Sequence, residues 1–299
     1  MSQLMNTKEV AAYLGIHEKK VYYLAKAGRI PCTRVTGKWI FPKPLIDQWI
    51  DESARGRSRI PKGEERPFLL AAGSDDPSLG LLRESYTRHL GPTALFLAIV
   101  GSSAGLDALR DGVADLALAH LRDPVTGEYN LPQLKGTLPS GGVAIVLFHR
   151  EVGLLTRSGN PLGLRTVADL AQPGLRIINR QQGSGTRLYL DRQLAQLGIE
   201  PERIYGYGDA VATHVEVGLK VLRGEADAGV ATKATAHLLS LDFIPLTRER
   251  FDLLIAKERF FARPVQVLLE IVGSREFRTR VEALGGYDTS ESGRILSST

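Results

Sequence analysis

The chain has 299 residues, 43% hydrophobic and 24% charged, with 31 Gly, 15 Pro and a single Cys. At roughly 100–200 residues per domain this length holds two domains or one with an appendage, and the lone Cys32 excludes a disulfide framework and any Cys-based zinc site. The net charge of +5 is unevenly placed: residues 1–66 carry 13 Lys and Arg against 7 Asp and Glu, a net +6, while the remainder carries 25 against 26, a net −1.

That asymmetry suggests a small end that touches a polyanion and a large end with another task. No run approaches the ~18 apolar residues of a membrane span, and Met1 to Glu9 lack the apolar stretch of a signal peptide. A cytoplasmic location is expected.

In chain order, Thr7–Leu14 reads as a helix capped by Asn6 or Thr7, with Val10, Ala11 and Leu14 at helical spacing. Gly15-Ile16 breaks it. A second helix follows from His17 to Ala27, with Val21, Leu24 and Ala25 inward and Lys19, Lys20, Tyr23 and Lys26 outward, ended by Gly28. Ile30–Val35 and Lys38–Phe41 form a hairpin about Thr36-Gly37, with Arg34 and Lys38 beside the turn. A helix from Pro44 to Ile50 closes a minimal core through Leu45, Ile46 and Trp49. Two short helices, the second basic, followed by a wing, suit a module that lays one helix in the DNA major groove. The alternative is a solvated α+β appendage whose basic face serves solubility.

The order helix, Leu-Gly-Ile-His, basic helix, Gly-Arg-Ile-Pro, Val-Thr-Gly-Lys-Trp, helix resembles the excisionase-type, MerR-like DNA-binding domains across residues 4–51. The resemblance implies a winged helix-turn-helix domain over 1–51. Lys19, Lys20, Tyr23, Lys26, Arg34 and Lys38 would contact double-stranded DNA, and the chain would work as a dimer or higher homo-oligomer. Residues 52–67 hold almost no apolar residue and read as a linker. Arg55, Arg57 and Arg59 within it could follow phosphates, or simply be solvated.

From residue 68 to 299 short apolar runs alternate with helical segments. Phe68–Ala72, Leu95–Val100, Leu116–Ala119, Val143–Phe148, Arg176–Ile178 and Ala228–Ala231 are the strand candidates. The alternation predicts a parallel, doubly wound α/β sheet, whose ligands lie beyond the carboxyl ends of its strands. Three strand-to-helix turns are rich in Gly and hydroxyl residues: Gly73-Ser74, Gly101-Ser102-Ser103 and Gly183-Ser184-Gly185-Thr186. Each offers backbone N–H groups and hydroxyls at a helix N-terminus, where an anion is favoured. One such turn is ordinary capping; three on one sheet edge suggest a shared small-anion pocket. The third is neither a dinucleotide fingerprint, since Leu188 occupies the third glycine position, nor a Walker loop. Arg180 and Arg187 flank it, and Arg187 could instead pair with Asp191 one turn on.

These turns, with Gly-Val-Ala-Asp-Leu-Ala-Leu-Ala-His-Leu, Gly-Glu-Tyr-Asn, Asn-Arg-Gln-Gln-Gly-Ser-Gly-Thr-Arg and Gly-Glu-Ala-Asp-Ala-Gly-Val, resemble the class II periplasmic binding proteins of molybdate and tungstate biology. The resemblance runs from about Phe68 to Gly293 and implies two α/β lobes with a ligand between them. Ser74, Ser102, Ser103, Arg180, Ser184, Gly185 and Thr186 would surround it. Asp227 falls in a segment that lines the cleft in relatives and would orient its loop. His120 and Tyr129-Asn130 would lie near the hinge, His120 as a hydrogen-bonded residue. Asp75-Asp76 beside the first turn sits poorly with a strongly electropositive pocket.

The expected function is a DNA-binding transcriptional regulator sensing molybdate or tungstate, with no cofactor. The alternative is the same regulator sensing a small organic ligand such as a carboxylate. An enzyme is not expected: the six His show no metal-ligand spacing, no nucleophile elbow occurs, and Cys32 lies in the other domain.

Overall fold

A computed structural model describes residues 4–35, 37–54, 68–90, 94–138 and 141–298. The chain divides into two compact units, Met1–Lys62 and Gly63–Thr299. Thr36 and residues 55–67, with Arg55, Arg57 and Arg59, lie outside the described residues.

The first unit comprises β1 (Leu4–Met5), α1 (Thr7–Leu14), α2 (Glu18–Lys26), β2 (Thr33–Val35), β3 (Lys38–Pro42) and α3 (Lys43–Ala54). Asn6 is the cap of α1: its Oδ1 accepts the Lys8 and Glu9 N–H groups at 2.9 and 3.0 Å, and Glu9 returns a bond from the Asn6 N–H at 2.7 Å. This capping box satisfies donors that the first turn leaves without partners. Gly15, at φ +65°, supplies the left-handed residue that ends α1. Val10, Ala11, Val21, Ala25, Ile30, Phe41 and Ile46 form the core. The strand β1, which the sequence reading lacks, joins β3 to give a sheet ordered β1-β3-β2.

The second unit begins with β4 (Phe68–Gly73), α4 (Leu79–Leu90), β5 (Ala94–Ile99), α5 (Ser102–Arg110), β6 (Leu116–Ala119), α6 (Leu131–Thr137) and β7 (Gly142–Thr156). It continues with β8 (Ile177–Arg180), α7 (Gly185–Leu197), β9 (Ala210–Val211), α8 (His214–Leu222), β10 (Ala228–Thr232), α9 (Lys233–Leu239) and β11 (Asp242–Ala256). It ends with α10 (Arg263–Gly273), α11 (Arg275–Glu282), β12 (Tyr287–Asp288) and β13 (Ile295–Ser298). The ten-stranded sheet is ordered β5-β4-β6-β11-β7-β10-β8-β9, with β12 and β13 beside β7.

The sheet is mixed, where the alternation predicted a parallel one. β4, β5 and β6 are mutually parallel, as are β8, β9 and β10. Between these sets run β7 and β11, 15 residues each, antiparallel to one another and to the strands they meet. The sequence signal for β11 is hidden by Pro245 and by the charged Arg248-Glu249-Arg250 stretch, which crosses a polar gap rather than a core. The long pair divides the unit into two lobes with separate cores, one around Leu69, Tyr86, Leu116, Phe148 and Phe251, the other around Leu154, Leu170, Ile177, Leu190 and Leu194.

This topology decides where the turns lie. The last residue of β6, Ala119, pairs with Asp252, while the last residue of β10, Thr232, pairs with Val152, itself opposite Thr247. The carboxyl ends of the two strand sets therefore approach the middle of the β7–β11 ribbon from opposite sides. The turns at Gly73 and Gly101 share one sheet edge, as the sequence pattern suggested, but the third, at Gly183–Thr186, faces them from the other lobe, because the antiparallel ribbon reverses the strand sense between lobes.

Candidate functional site

The floor of the cleft is the middle of the ribbon, where Arg150 and Glu249 are register partners. Arg150 Nη2 lies 2.6 Å from Glu249 Oε1, and its Nη1 lies 2.6 Å from Asp76 Oδ2. The guanidinium covers the Phe251 ring at 4.5 Å. Burial works against its charge, but Glu249 and Asp76 outweigh that penalty and hold Arg150 protonated. Burial would likewise raise Glu249, yet His120 and Arg150 pull its carboxyl down to about 2.

His120 follows β6 directly. Its Nδ1 is 3.0 Å from Glu249 Oε2 and its Nε2 is 2.9 Å from Ser74 Oγ. Burial lowers its pKa and keeps the ring neutral. Hydroxyl, imidazole and carboxylate in series is also the order of an acyl-transfer triad, although here the carboxylate is shared with Arg150. The His120 backbone N–H reaches Ser102 Oγ at 3.4 Å, leaving the Ser102 hydroxyl proton for another partner. Asn130, at φ +63°, accepts the Leu121 N–H at 2.7 Å and donates to Ala119 O and Asp252 Oδ2, fastening the exit of β6 to β11. Tyr129 contributes its carbonyl, which accepts from Arg250 Nη2 at 2.8 Å.

From the other lobe, β8 delivers Arg180 and the turn after it delivers α7. Ser184 is the cap, its Oγ accepting the Arg187 N–H at 3.2 Å. Arg180 is 1% exposed, and its Nη2 donates to Ala212 O at 2.7 Å. Its Nε and Nη1 are buried without a hydrogen-bond partner among the described residues, as is Thr186 Oγ1. Burial draws the Arg180 pKa down to about 10, with Asp75 opposing. His214, the first residue of α8, is also buried with both ring nitrogens unpartnered among the described residues, and burial keeps it neutral.

Three contacts bring the lobes together at the floor of the cleft. The His214 N–H donates to Asp75 Oδ2 across the cleft at 2.7 Å. A Cβ added at Gly185 would lie 2.3 Å from His120 Cε1, and one added at Gly101 would lie 3.2 Å from Gly183 O. The turns close upon one another only because these positions carry no side chain.

Ser74, Ser102, Arg180, Ser184, Gly185 and Thr186 are thus buried where the lobes face each other. Ser103 is not among them: it is exposed on α5, about 100° around the helix from Ser102. Arg187 pairs with Asp191 at 2.9 Å and lies 3.9 Å over the Tyr207 ring, so it takes the ion-pair role. Asp227 does not line the cleft. It accepts the Arg176 N–H at 2.9 Å, joining the amino-terminal ends of β8 and β10. Sequence reading missed His214, although Thr213-x-x-Glu216 is a capping-box pattern that marks a fourth helix start, and the box is present. It also missed Glu249 and Arg150, whose strand context was not seen.

In the first unit Lys19, Lys20, Tyr23, Lys26, Arg34 and Lys38 are all exposed. Lys20 lies 5.4 Å over the Tyr23 ring, and Arg34 Nε is held by Gly37 O at 3.2 Å. Tyr22 and Arg29, not singled out from sequence, are exposed as well. Among the described residues no group of three or more His, Cys, Asp and Glu could hold a metal ion, and no helix is long and apolar enough to cross a membrane.

Comparison with known proteins gives each unit a counterpart. The PBP superfamily domain matches residues 83–273, and a helix-turn-helix domain matches residues 4–54. The chain is 31% identical over 303 residues to protein YvgK of Bacillus subtilis (strain 168), covering 98% of this chain and 97% of that one. A phosphate ABC transporter substrate-binding protein from Clostridium perfringens, solved with bound phosphate, superposes with TM-score 0.57 at 14% identity over 73% of this chain and 97% of that one. The tungstate ABC transporter structure from Geobacter sulfurreducens gives TM-score 0.54 at 14% identity over 72% and 98%. At such identities the likeness is one of fold. The chain belongs to the PBP superfamily, joining that two-lobed domain to an N-terminal helix-turn-helix domain.

Proposed function

We propose that the chain is a DNA-binding transcriptional regulator whose two-lobed domain captures a compact tetrahedral oxyanion, tungstate or molybdate. The observation that carries this reading is Arg180, a buried guanidinium with two nitrogens lacking any partner among the described residues, together with the Thr186 hydroxyl, likewise buried and unpartnered among them. An unmatched buried cation is costly, and an oxyanion accepting from both groups removes the cost. Arg150 cannot play that part, since Asp76 and Glu249 already match its charge. Ser102, Ser184 and the first-turn N–H groups of α5 and α7 supply further neutral donors. Ser74 joins through His120. Fold neighbours that bind phosphate and tungstate support a site for a small anion.

Ligand-dependent closure would bias the DNA-binding state of a homo-oligomer, to the extent that the anion binds one state more tightly. Lys19, Lys20, Tyr23, Lys26, Arg34 and Lys38 form the proposed DNA face. A second reading is an organic ligand carrying a donor group, favoured by Asp75, an acceptor placed at the cleft. Calorimetric titration with tungstate, molybdate, sulfate and a set of small carboxylates and amino acids decides between them. Heat with tungstate or molybdate supports the first reading, and heat only with organic ligands overturns it.

A further inference from the structure

The hydrogen bonds around Ser74 have a fixed direction. Glu249 is ionised and only accepts, so the His120 Nδ1 facing its Oε2 at 3.0 Å must carry the ring proton. In the neutral imidazole Nε2 is then a bare acceptor, and the Ser74 hydroxyl 2.9 Å away must donate to it. The Ser74 backbone N–H is engaged too, donating to Leu118 O at 2.8 Å. Ser74 therefore offers the cleft only oxygen lone pairs. A fully deprotonated oxyanion, which has only acceptors, would meet it acceptor against acceptor.

The geometry points to His120 as a specificity-determining residue: a fully deprotonated oxyanion is taken up together with one proton from solvent, which comes to rest on His120 Nε2. The imidazolium then donates to Glu249 on one side and Ser74 on the other, and the Ser74 hydroxyl proton turns to the anion. The inference rests on the proposed oxyanion reading. A ligand bearing its own hydroxyl proton could satisfy Ser74 without this step, so the relay separates the two anion types by their proton balance.

The charged and titratable groups facing His120 set the balance. From the ribbon come Glu249 and Arg150, from the loop after β4 Asp75 and Asp76, from β8 Arg180 and from α8 His214. Phe251 stacks on the ring at a centroid distance of 5.7 Å, and Gly185 closes it off from the other lobe. Without ligand, burial and two arginines disfavour a second proton on His120. A dianion beyond Ser74 adds two negative charges to that side and reverses the preference.

The test is tungstate titration of the full chain between pH 7 and 9, in buffers of different ionisation enthalpy, which counts protons taken up. The expected count approaches one, with the dissociation constant rising about tenfold per pH unit wherever His120 is neutral free and protonated bound. His120→Gln should bring the count to zero, whereas Asp75→Asn and His214→Gln should retain it whatever their affinity. Should His120→Gln not fold, the wild-type chain labelled with nitrogen-15 at histidine gives the same answer, since tungstate must create one imidazolium signal at pH 8. Tungstate binding with no proton uptake, or uptake that persists in His120→Gln, would overturn the inference while leaving the oxyanion reading intact. No binding of tungstate or molybdate at any pH would defeat both.

Discussion

Replacing Arg180 by Met separates the cost of a buried cation from its use. In the ligand-free protein, burial draws the guanidinium from 12.5 to about 10, which at 1.36 kcal/mol per unit amounts to about 3 kcal/mol of destabilisation. The lost bond from Nη2 to Ala212 O returns about 1 kcal/mol of that. Arg180→Met should thus stabilise the ligand-free domain by about 2 kcal/mol, raising its unfolding temperature by roughly 4–8 °C for a domain of this size. Binding should move the other way. Two charge-assisted hydrogen bonds from Nε and Nη1, at about 1.5–3 kcal/mol each, put the loss of tungstate affinity at about 10²- to 10⁴-fold. Differential scanning fluorimetry and calorimetry on the same preparations read both effects. A variant that binds within tenfold of the parent, or that melts lower without ligand, would refute the assignment of Arg180 as the anion's counter-charge.

Three other perturbations follow from the same geometry. Gly185→Ala places a methyl group against the locked His120 ring, and at about 1–3 kcal/mol for such overpacking should weaken anion affinity by about 5- to 150-fold; titration calorimetry checks it, and unchanged affinity would mean the lobes need not meet there. Glu249, held at about 2 against an ordinary 4.5, binds fewer protons folded than unfolded below about pH 5, so its contribution is present above that pH and fades on acidification toward pH 2. Acid unfolding followed by circular dichroism should set in at higher pH in Glu249→Gln, whose neutral amide lacks this contribution, with the stability gap to the parent closing toward pH 2. On the DNA-binding side, Lys19→Ala and Lys20→Ala should each lower the slope of log affinity against log salt by about 0.9 if both lysines grip phosphates. Fluorescence anisotropy with duplex DNA at several salt concentrations measures it, and an unchanged slope would remove them from the interface.

The helices α1 to α5 and α7 and the strands β4, β5, β6, β8 and β10 were legible in the sequence because their signals are local: capping residues such as Asn6 and Ser184, glycine stops such as Gly15, and apolar runs such as Leu116–Ala119; α6, α8 to α11 and the short β9 were not singled out. The ribbon was not. Half of β7 and all of β11 escaped notice because their central residues serve the cleft, so Arg150 and Glu249 replace the apolar side chains that announce a strand. With the ribbon hidden, the strand sense of the second lobe could not be inferred, and neither could the face-to-face meeting of the turns. The same gap concealed the partner of His120, which lies 129 residues away. Ser102 and Ser103 look equivalent as letters, and only helical phase separates the buried one from the exposed one. Asp227 resembled a cleft residue by motif, yet it stands at the opposite end of its strand from the ligand side.

Crystals of the full chain grown with tungstate, with data collected at the tungsten absorption edge, test the central claim most directly. The account predicts one strong anomalous peak between the lobes, within hydrogen-bonding distance of Arg180 Nε or Nη1 and Thr186 Oγ1. A cleft without tungsten, or tungsten held only at surface cations while Arg180 stays unpartnered, would contradict it.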